Sequence, residues 1–176
     1  MKEKINTLIS KSAIEKRLDE IAEIINNEYK NEEIYLICIL KGGVFFMVDL
    51  AKRLNLPTKL NFMRVSSYGN NTESSKTIDI IMDIDESIEG KNVILIEDII
   101  DSGRTLSHII DLLKKRNPKT LKLCTLLDKP SRRVSNINVD YIGFTIPDSF
   151  VVGYGLDYAQ KYRNLNYIGI ISFEEK

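Results

Sequence analysis

The stretch VILIEDIIDSGRTL, residues 93–106, decides the fold. It begins as a continuous apolar run, which is typical of a strand buried on both faces of a sheet. It then passes through a short polar segment into apolar residues at helical spacing. In open α/β sheets, ligands bind beyond the carboxyl ends of such strands. The stretch therefore predicts an α/β fold with a binding site at residues 101–105.

Helices are expected on both sides of this stretch. Ser12 and Glu15 have the spacing of a capping box, and apolar residues then recur at helical intervals to Ile25. A second helix is expected over residues 44–54, where Asn55 and Pro57 end it. The third follows the polar segment and ends at the basic turn 114–116.

Apolar strands alternate with these helices. They are predicted at residues 34–40, 58–67, 77–84, 93–97, 121–127, 139–146 and 167–172. Residues 68–76, YGNNTESSK, are polar and without periodicity, and this predicts a loop. Buried strands that alternate with amphipathic helices indicate a largely parallel sheet covered on both faces.

Length and composition narrow the function classes. The 176 residues are expected to form one domain, and 25 basic residues balance 25 acidic ones. Zero net charge gives no overall field for nucleic acid or a membrane surface, so neither partner is expected. The one histidine, His108, excludes a multi-His zinc site, and Cys38 and Cys124 lie in apolar runs, where buried thiols are expected. No signal peptide or apolar span is present, so a cytoplasmic location is predicted.

The polar segment has the chemistry of an anion site. Small residues, backbone amides and two hydroxyls at a helix N-terminus favour phosphate binding. The pattern is not a Walker loop, and the dinucleotide-binding pattern G-x-G-x-x-G is absent. Glu97 and Asp98 add two carboxylates, which would repel a phosphate group unless ribose hydroxyls and Mg²⁺ separated the carboxylates from it. A solvated helix-cap region would equally explain this acidic pair, but the pair together with Asp101 and the small residues favours a binding site.

Several segments of the sequence resemble those of a known family. Residues 93–106 resemble the phosphoribosyl-diphosphate motif of the type I phosphoribosyltransferases, and other segments narrow the resemblance to the hypoxanthine-guanine branch. These segments are Leu40-Lys41-Gly42-Gly43, Ser66-Ser67-Tyr68-Gly69, Leu127-Asp128-Lys129-Pro130-Ser131-Arg132-Arg133, Ile146-Pro147-Asp148, residues 150–158 (FVVGYGLDY) and Arg163. They follow the family's order and extend from about residue 34 to 172.

The resemblance implies a fold, a reaction and partners. The expected fold is a largely parallel sheet flanked by helices, with a small hood formed by the terminal segments, over residues 1–176. The expected reaction transfers the 5-phosphoribosyl group from phosphoribosyl diphosphate to hypoxanthine or guanine, with Mg²⁺ as cofactor. The resemblance also implies a homodimer or homotetramer.

The resemblance further implies roles for the phosphoribosyl-diphosphate residues. Glu97 and Asp98 would contact the ribose hydroxyls and, through water, Mg²⁺. Lys41, Gly42 and Arg163 would meet pyrophosphate, beside a non-proline cis peptide at Leu40-Lys41 or Lys41-Gly42. The 5′-phosphate would lie in the loop formed by Asp101, Ser102, Gly103, Arg104 and Thr105. The Arg104 side chain and Asp128 are assigned no separate role, because the family varies at both.

On the purine side, Asp101 matches the general base, although helix capping would also explain an aspartate there. Lys129 matches the donor to the 6-oxo group, with a surface lysine as the alternative. Phe150 and Val151 match the stacking residue and the backbone contact, unless both are ordinary core. Asp157 matches a ligand of a second Mg²⁺. Ser67 and Tyr68 match the start of a loop that closes over the site.

Two other functions stay open. A regulatory relative that binds RNA or DNA would require a basic face, against which the zero net charge argues. An enzyme specific for xanthine or for a pyrimidine is the closer alternative. The sequence does not rank hypoxanthine, guanine and xanthine.

Overall fold

Strands and helices alternate along the chain in this computed structural model, which describes residues 2–67 and 78–174. The strands in this part are β1 (Lys2–Ile9), β2 (Ile34–Ile39), β3 (Thr58–Ser67), β4 (Ile78–Met82), β5 (Asn92–Ile100), β6 (Thr120–Asp128), β7 (Tyr141–Thr145), β8 (Val151–Val152) and β9 (Ile168–Glu174). The helices are α1 (Lys11–Glu28), α2 (Val44–Ala51) and α3 (Arg104–Lys114), with a 3-10 turn at Pro130–Arg132.

The central sheet has six strands in the order β4-β3-β2-β5-β6-β7, and only β4 runs antiparallel to its neighbour. One hydrophobic cluster packs α1 and α2 against one face, and a second packs α3 against the other. The middle strands are apolar on both sides because both faces are covered. The predicted α/β fold with a largely parallel, two-sided sheet is confirmed.

A separate three-stranded sheet joins the two ends of the chain. Its order is β1-β9-β8, and both pairings are antiparallel. The predicted hood of terminal segments is therefore confirmed, although no strand was predicted at residues 2–9. Among the described residues, no helix combines the length and the apolar character that crossing a membrane requires.

Several predicted boundaries are wrong. Ser10, not Ser12, caps α1, since its Oγ accepts a hydrogen bond of 3.2 Å from the Ala13 amide. Helix α2 ends at Ala51, where an irregular turn begins well before Pro57. Strand β5 continues three residues beyond its predicted end at Glu97 and therefore includes Asp98 as well. The predicted loop at residues 68–76 lies outside the described residues.

Candidate active site

The acid pair lies near the end of β5, the central strand of the site. Both residues are partly exposed as a whole, but Glu97 Oε2 is buried and has no hydrogen-bond partner among the described residues. Burial raises the pKa of Glu97 well above its usual value, and the neighbouring Asp98 carboxylate raises it further. Burial also raises the pKa of Asp98, although hydrogen bonds and the positive charge of Arg163 oppose that shift. The pair therefore favours the approach of a cation or of hydroxyl donors.

The turn after β2 packs directly on Asp98. Its peptide bond between Leu40 and Lys41 is cis. A Cβ atom on Gly42 would overlap the Asp98 carboxylate, and a Cβ on Gly155 would overlap the Gly42 carbonyl oxygen. Glycine at both positions thus lets the Gly42 backbone contact the Asp98 carboxylate on one side and the Gly155 backbone on the other.

The loop 101–105 leads from β5 into α3. Gly103 adopts φ +76° at the N-cap of the helix, a conformation that glycine reaches without strain. The amides of Val134 and Ser135 donate hydrogen bonds of 3.1 and 3.3 Å to the Ser102 carbonyl, which holds the loop from behind. The first amides of a helix have no partner within it, so this loop offers donors to an anion.

Asp101 does not cap this helix. The N-cap residue is Gly103, and no side chain makes a cap hydrogen bond there. The Asp101 carboxylate is about half exposed and accepts a hydrogen bond of 3.1 Å from Arg132 Nε. The helix-cap alternative for Asp101 is therefore wrong, and its carboxylate is accessible beside the loop.

Lys129 follows β6 and is buried, with 7% of its surface exposed. Its Nζ donates a hydrogen bond of 2.7 Å to the Ser149 carbonyl and lies 3.7 Å from Asp148 Oδ1. The surface-lysine alternative is therefore wrong. A buried ammonium with three donors and one close carbonyl keeps hydrogen-bonding capacity for a ligand.

An aromatic residue follows Ser149, whose carbonyl accepts the Lys129 hydrogen bond. Phe150 is 55% exposed, and the ring of Tyr158 contacts it edge-on at 5.8 Å between centroids. Phe150 is thus not ordinary core. Val151 is buried in β8, where it pairs with Ile170 of β9, so its side chain belongs to the core while its backbone is at the hood's edge.

Two cations converge on the segment after β8. Arg163 Nη2 pairs with Asp157 at 2.7 Å, and Arg163 Nη1 donates to the Gly155 carbonyl at 2.7 Å. Lys41 Nζ and Arg163 Nη2 also donate to the side-chain oxygen of Gln160, at 3.3 and 3.5 Å. This arrangement brings two positive charges beside Gly42.

The sequence patterns did not indicate the side-chain contacts that three residues make in the site, namely Arg132, Asp148 and Gln160. Arg132 and Asp148 stood inside recognised segments, but nothing in their spacing indicated that Arg132 would bridge Asp148 and Asp101.

Ser67 ends β3, but its side chain and all of Tyr68 fall outside the part of the chain that is described. In residues 2–67 and 78–174, no three His, Cys, Asp or Glu side chains form a cluster able to hold a metal by themselves.

Comparison with known proteins finds several relatives that are named phosphoribosyltransferases. Residues 5–159 match the family model described as the phosphoribosyl transferase domain. The chain is 49% identical to the hypoxanthine phosphoribosyltransferase of Buchnera aphidicola, over 99% of this chain and 100% of that one. It is also 49% identical to the hypoxanthine-guanine phosphoribosyltransferase of Bacillus subtilis, over 93% and 91%. A crystal structure of a hypoxanthine-guanine phosphoribosyltransferase from Bacillus anthracis superposes with a TM-score of 0.91 at 42% identity, covering 97% and 100% of the chains.

Proposed function

This chain belongs to the phosphoribosyl transferase family, and from that premise we propose that it transfers the 5-phosphoribosyl group of phosphoribosyl diphosphate to a 6-oxopurine. The bond between the anomeric carbon and pyrophosphate breaks, and a bond from that carbon to a purine nitrogen forms. With hypoxanthine or guanine the products are IMP or GMP and pyrophosphate. The enzyme is a pentosyltransferase of purine salvage.

The contact of the acid pair with the Gly42 turn carries this proposal. Asp98 lies against Gly42, and the loop 101–105 begins three residues after it. Phosphoribosyl diphosphate has a ribose between a 5′-phosphate and a diphosphate. This edge of the sheet offers three binding regions in the same order. Glu97 and Asp98 would bind the ribose hydroxyls. The loop, comprising Asp101, Ser102, Gly103, Arg104 and Thr105, would bind the 5′-phosphate.

The region around the Gly42 turn would bind the leaving pyrophosphate. Lys41, Gly42 and Arg163 lie together, and two of them carry a positive charge. Such charges stabilise pyrophosphate as it leaves, because negative charge develops on it in an oxocarbenium-like transition state.

The donor set is compatible with Mg²⁺. Carboxylate oxygens are the protein ligands that this ion prefers, and the buried Glu97 Oε2 lacks a partner among the described residues. Glu97 and Asp98 would hold the ion through water, and Asp157 would hold a second one. Bound Mg²⁺ supplies positive charge to the diphosphate.

Lys129, Phe150 and Val151 would bind the base. An ammonium donates to a 6-oxo group but has nothing to accept from a 6-amino group, so the buried Lys129 disfavours adenine. Phe150 would stack on the purine, and the Val151 backbone would contact its edge. Asp101 would accept the proton from the imidazole ring as the neighbouring ring nitrogen attacks.

Further proposals concern the surroundings of the site. Ser67 and Tyr68 would begin a loop that closes over the reacting groups and excludes water. Residues 1–176 would form one domain, and the chain would assemble as a homodimer or homotetramer. A cytoplasmic location is supported by the two free, buried cysteines, Cys38 and Cys124.

A steady-state assay with phosphoribosyl diphosphate, Mg²⁺ and five nucleobases tests the function. Hypoxanthine or guanine should be consumed, with adenine and uracil turned over far more slowly. Preferential use of xanthine would change the substrate but keep the 6-oxopurine class. Equal turnover of adenine, or turnover of uracil alone, would contradict the proposal.

A further inference from the structure

We propose that Arg132 is a positioning residue, which holds the carboxylate of Asp101 in the orientation that proton transfer requires. The inference rests on the proposed function. It adds a residue that contacts the proposed general base, Asp101, rather than the substrate. Its evidence is a chain of four charged side chains that begins at Asp101 and ends at Lys129.

The four charges alternate in sign. Arg132 Nε lies 3.1 Å from Asp101 Oδ1, and Arg132 Nη1 lies 3.4 Å from Asp148 Oδ2. The other oxygen of Asp148 lies 3.7 Å from Lys129 Nζ. The proposed base and the proposed 6-oxo donor are thus the two ends of one electrostatic chain, with Arg132 and Asp148 between them.

The backbone fixes where Arg132 lies. The amide of Lys129 donates to the Ile100 carbonyl at 3.0 Å, and that of Val134 donates to the Ser102 carbonyl at 3.1 Å. The residues on either side of Asp101 are therefore bonded to residues on either side of Arg132. Pro130 begins a 3-10 turn that the Arg132 amide closes, with a hydrogen bond of 3.1 Å to the Lys129 carbonyl.

Arg132 contacts one oxygen of the Asp101 carboxylate and leaves the other available to a ligand. Its contact is with Oδ1, and among the described residues no donor reaches Asp101 Oδ2. A carboxylate held through one oxygen presents the second in a restricted direction, and this second oxygen is the one left to accept a purine proton. The next residue cannot replace it, since Arg133 is engaged by Asp128 and by the Ile137 carbonyl.

This contact should matter for rate more than for stability. The Arg132 and Asp101 side chains are 54% and 47% exposed, and ion pairs at such exposure contribute little to folding. Orientation of a reacting group acts on the barrier, where small displacements have large effects. A bound purine would also remove water from the pair and strengthen it.

Single-turnover kinetics of Arg132→Gln and Arg132→Lys test the proposal. We expect the glutamine variant to be about tenfold slower with hypoxanthine, with KM for phosphoribosyl diphosphate and Tm close to the parent values. The lysine variant should recover part of the rate, because it keeps the charge but lacks the planar fork. Arg116→Gln is the matched control. It breaks an ion pair with Asp83 at the end of α3, outside the proposed site, and should keep the parent rate.

A double-mutant comparison shows whether Arg132 acts through Asp101. In an Asp101→Asn background, Arg132→Gln should cause little further loss, since there is no longer a base to orient. A full tenfold loss in that background would overturn the proposal, as would an Arg132→Gln rate within twofold of the parent. A parent protein that is inactive with every base would instead overturn the proposed function. An active parent with a slow Asp101→Asn variant and a normal Arg132→Gln variant would overturn this inference alone.

Discussion

The carboxylate of Asp98 lies directly against the Cα atom of Gly42, so closely that a methyl group on Gly42 would overlap Asp98 Oδ2. On the other side of the turn, Gly155 approaches the Gly42 carbonyl in the same way. The end of β5, the turn after β2 and the segment after β8 therefore form one continuous surface. No side chain fits between the proposed ribose site and the proposed pyrophosphate site.

We expect Gly42→Ala to disrupt this surface. The added methyl would displace either Asp98 or the turn, and overpacking of this kind costs about 1–3 kcal/mol. For a protein of this length, Tm should fall by roughly 2–4 °C per kcal/mol, and calorimetry should show affinity for phosphoribosyl diphosphate reduced about tenfold or more. Gly90→Ala is the control, since Gly90 has φ +67° but nothing within 4 Å of an added Cβ. It should lower Tm without changing affinity, and parent affinity in Gly42→Ala would contradict the expectation.

We expect Glu97→Gln to stabilise the ligand-free protein at neutral pH. Burial raises the folded-state pKa of Glu97 well above its value in the unfolded chain, and the Asp98 carboxylate adds to the shift. The folded protein therefore binds this proton more tightly than the unfolded chain does. The resulting stability is fully present below the unfolded value of about 4.5 and is lost as the pH rises through the folded pKa. Glutamine does not ionise, so the Glu97→Gln variant should have a higher Tm than the parent at pH 7–8, and this difference should shrink towards pH 4.5.

Thermal melting of the two proteins between pH 4.5 and 8 measures this difference. Glu23→Gln, on the exposed side of α1, is the control for the loss of one carboxylate away from the site. A constant difference between Glu97→Gln and the parent across the whole range would show that ionisation of Glu97 does not contribute. A lower Tm of Glu97→Gln at pH 8 would indicate that the carboxylate is stabilising in the ligand-free fold.

We expect Asp101→Asn to slow the chemical step. Asparagine has the same size but does not accept the purine proton, and loss of a positioned general base costs on the order of 10²–10⁴ in rate, or roughly 3–5 kcal/mol. The neighbouring loop is held by hydrogen bonds to Ser102, so affinity for phosphoribosyl diphosphate should stay within a few-fold of the parent. The measurement is a single-turnover rate, because slow product release would conceal part of the loss in kcat. A rate within a few-fold of the parent would remove Asp101 from the mechanism.

Much of the sheet was predictable because its signal is local. A strand buried on both faces, such as β2 or β5, is apolar along its length, and α3 shows its buried face through residues at helical spacing. The position of the site then follows from the rule that ligands bind at the carboxyl ends of parallel strands. Roles such as those of Lys129 and Asp157 came only from the family resemblance.

What was missed depends on contacts distant in sequence. Strand β1 pairs with β9, where Glu3 lies opposite Phe173, and residues 2–9 alone carry no strong strand pattern. Ser10 and Ser12 are equally good caps by type, and only the direction in which the chain enters α1 selects Ser10. The bridge from Arg132 to Asp101 needs a side-chain conformation across 31 residues, which no spacing rule provides.

We expect Lys129→Met to reduce the discrimination between 6-oxopurines and adenine. The buried Lys129 ammonium donates to the Ser149 carbonyl at 2.7 Å and still has protons for a 6-oxo group. A hydrogen bond from a charged donor is worth about 1.5–3 kcal/mol, so kcat/KM for hypoxanthine should fall by roughly 10- to 100-fold. Adenine loses no such bond, and its own kcat/KM should change less.

The ratio of kcat/KM for hypoxanthine to that for adenine is the decisive quantity. Methionine leaves the Ser149 carbonyl without its partner and destabilises the fold, but a smaller folded fraction lowers both rates equally and cancels in the ratio. Lys129→Gln keeps an amide donor at this position, so it should retain more of the ratio than methionine does. Lys52→Met, at an exposed lysine paired with Asp49, should leave the ratio unchanged. If Lys129→Met also kept the parent ratio, the selectivity for 6-oxopurines would have to come from backbone contacts at the base.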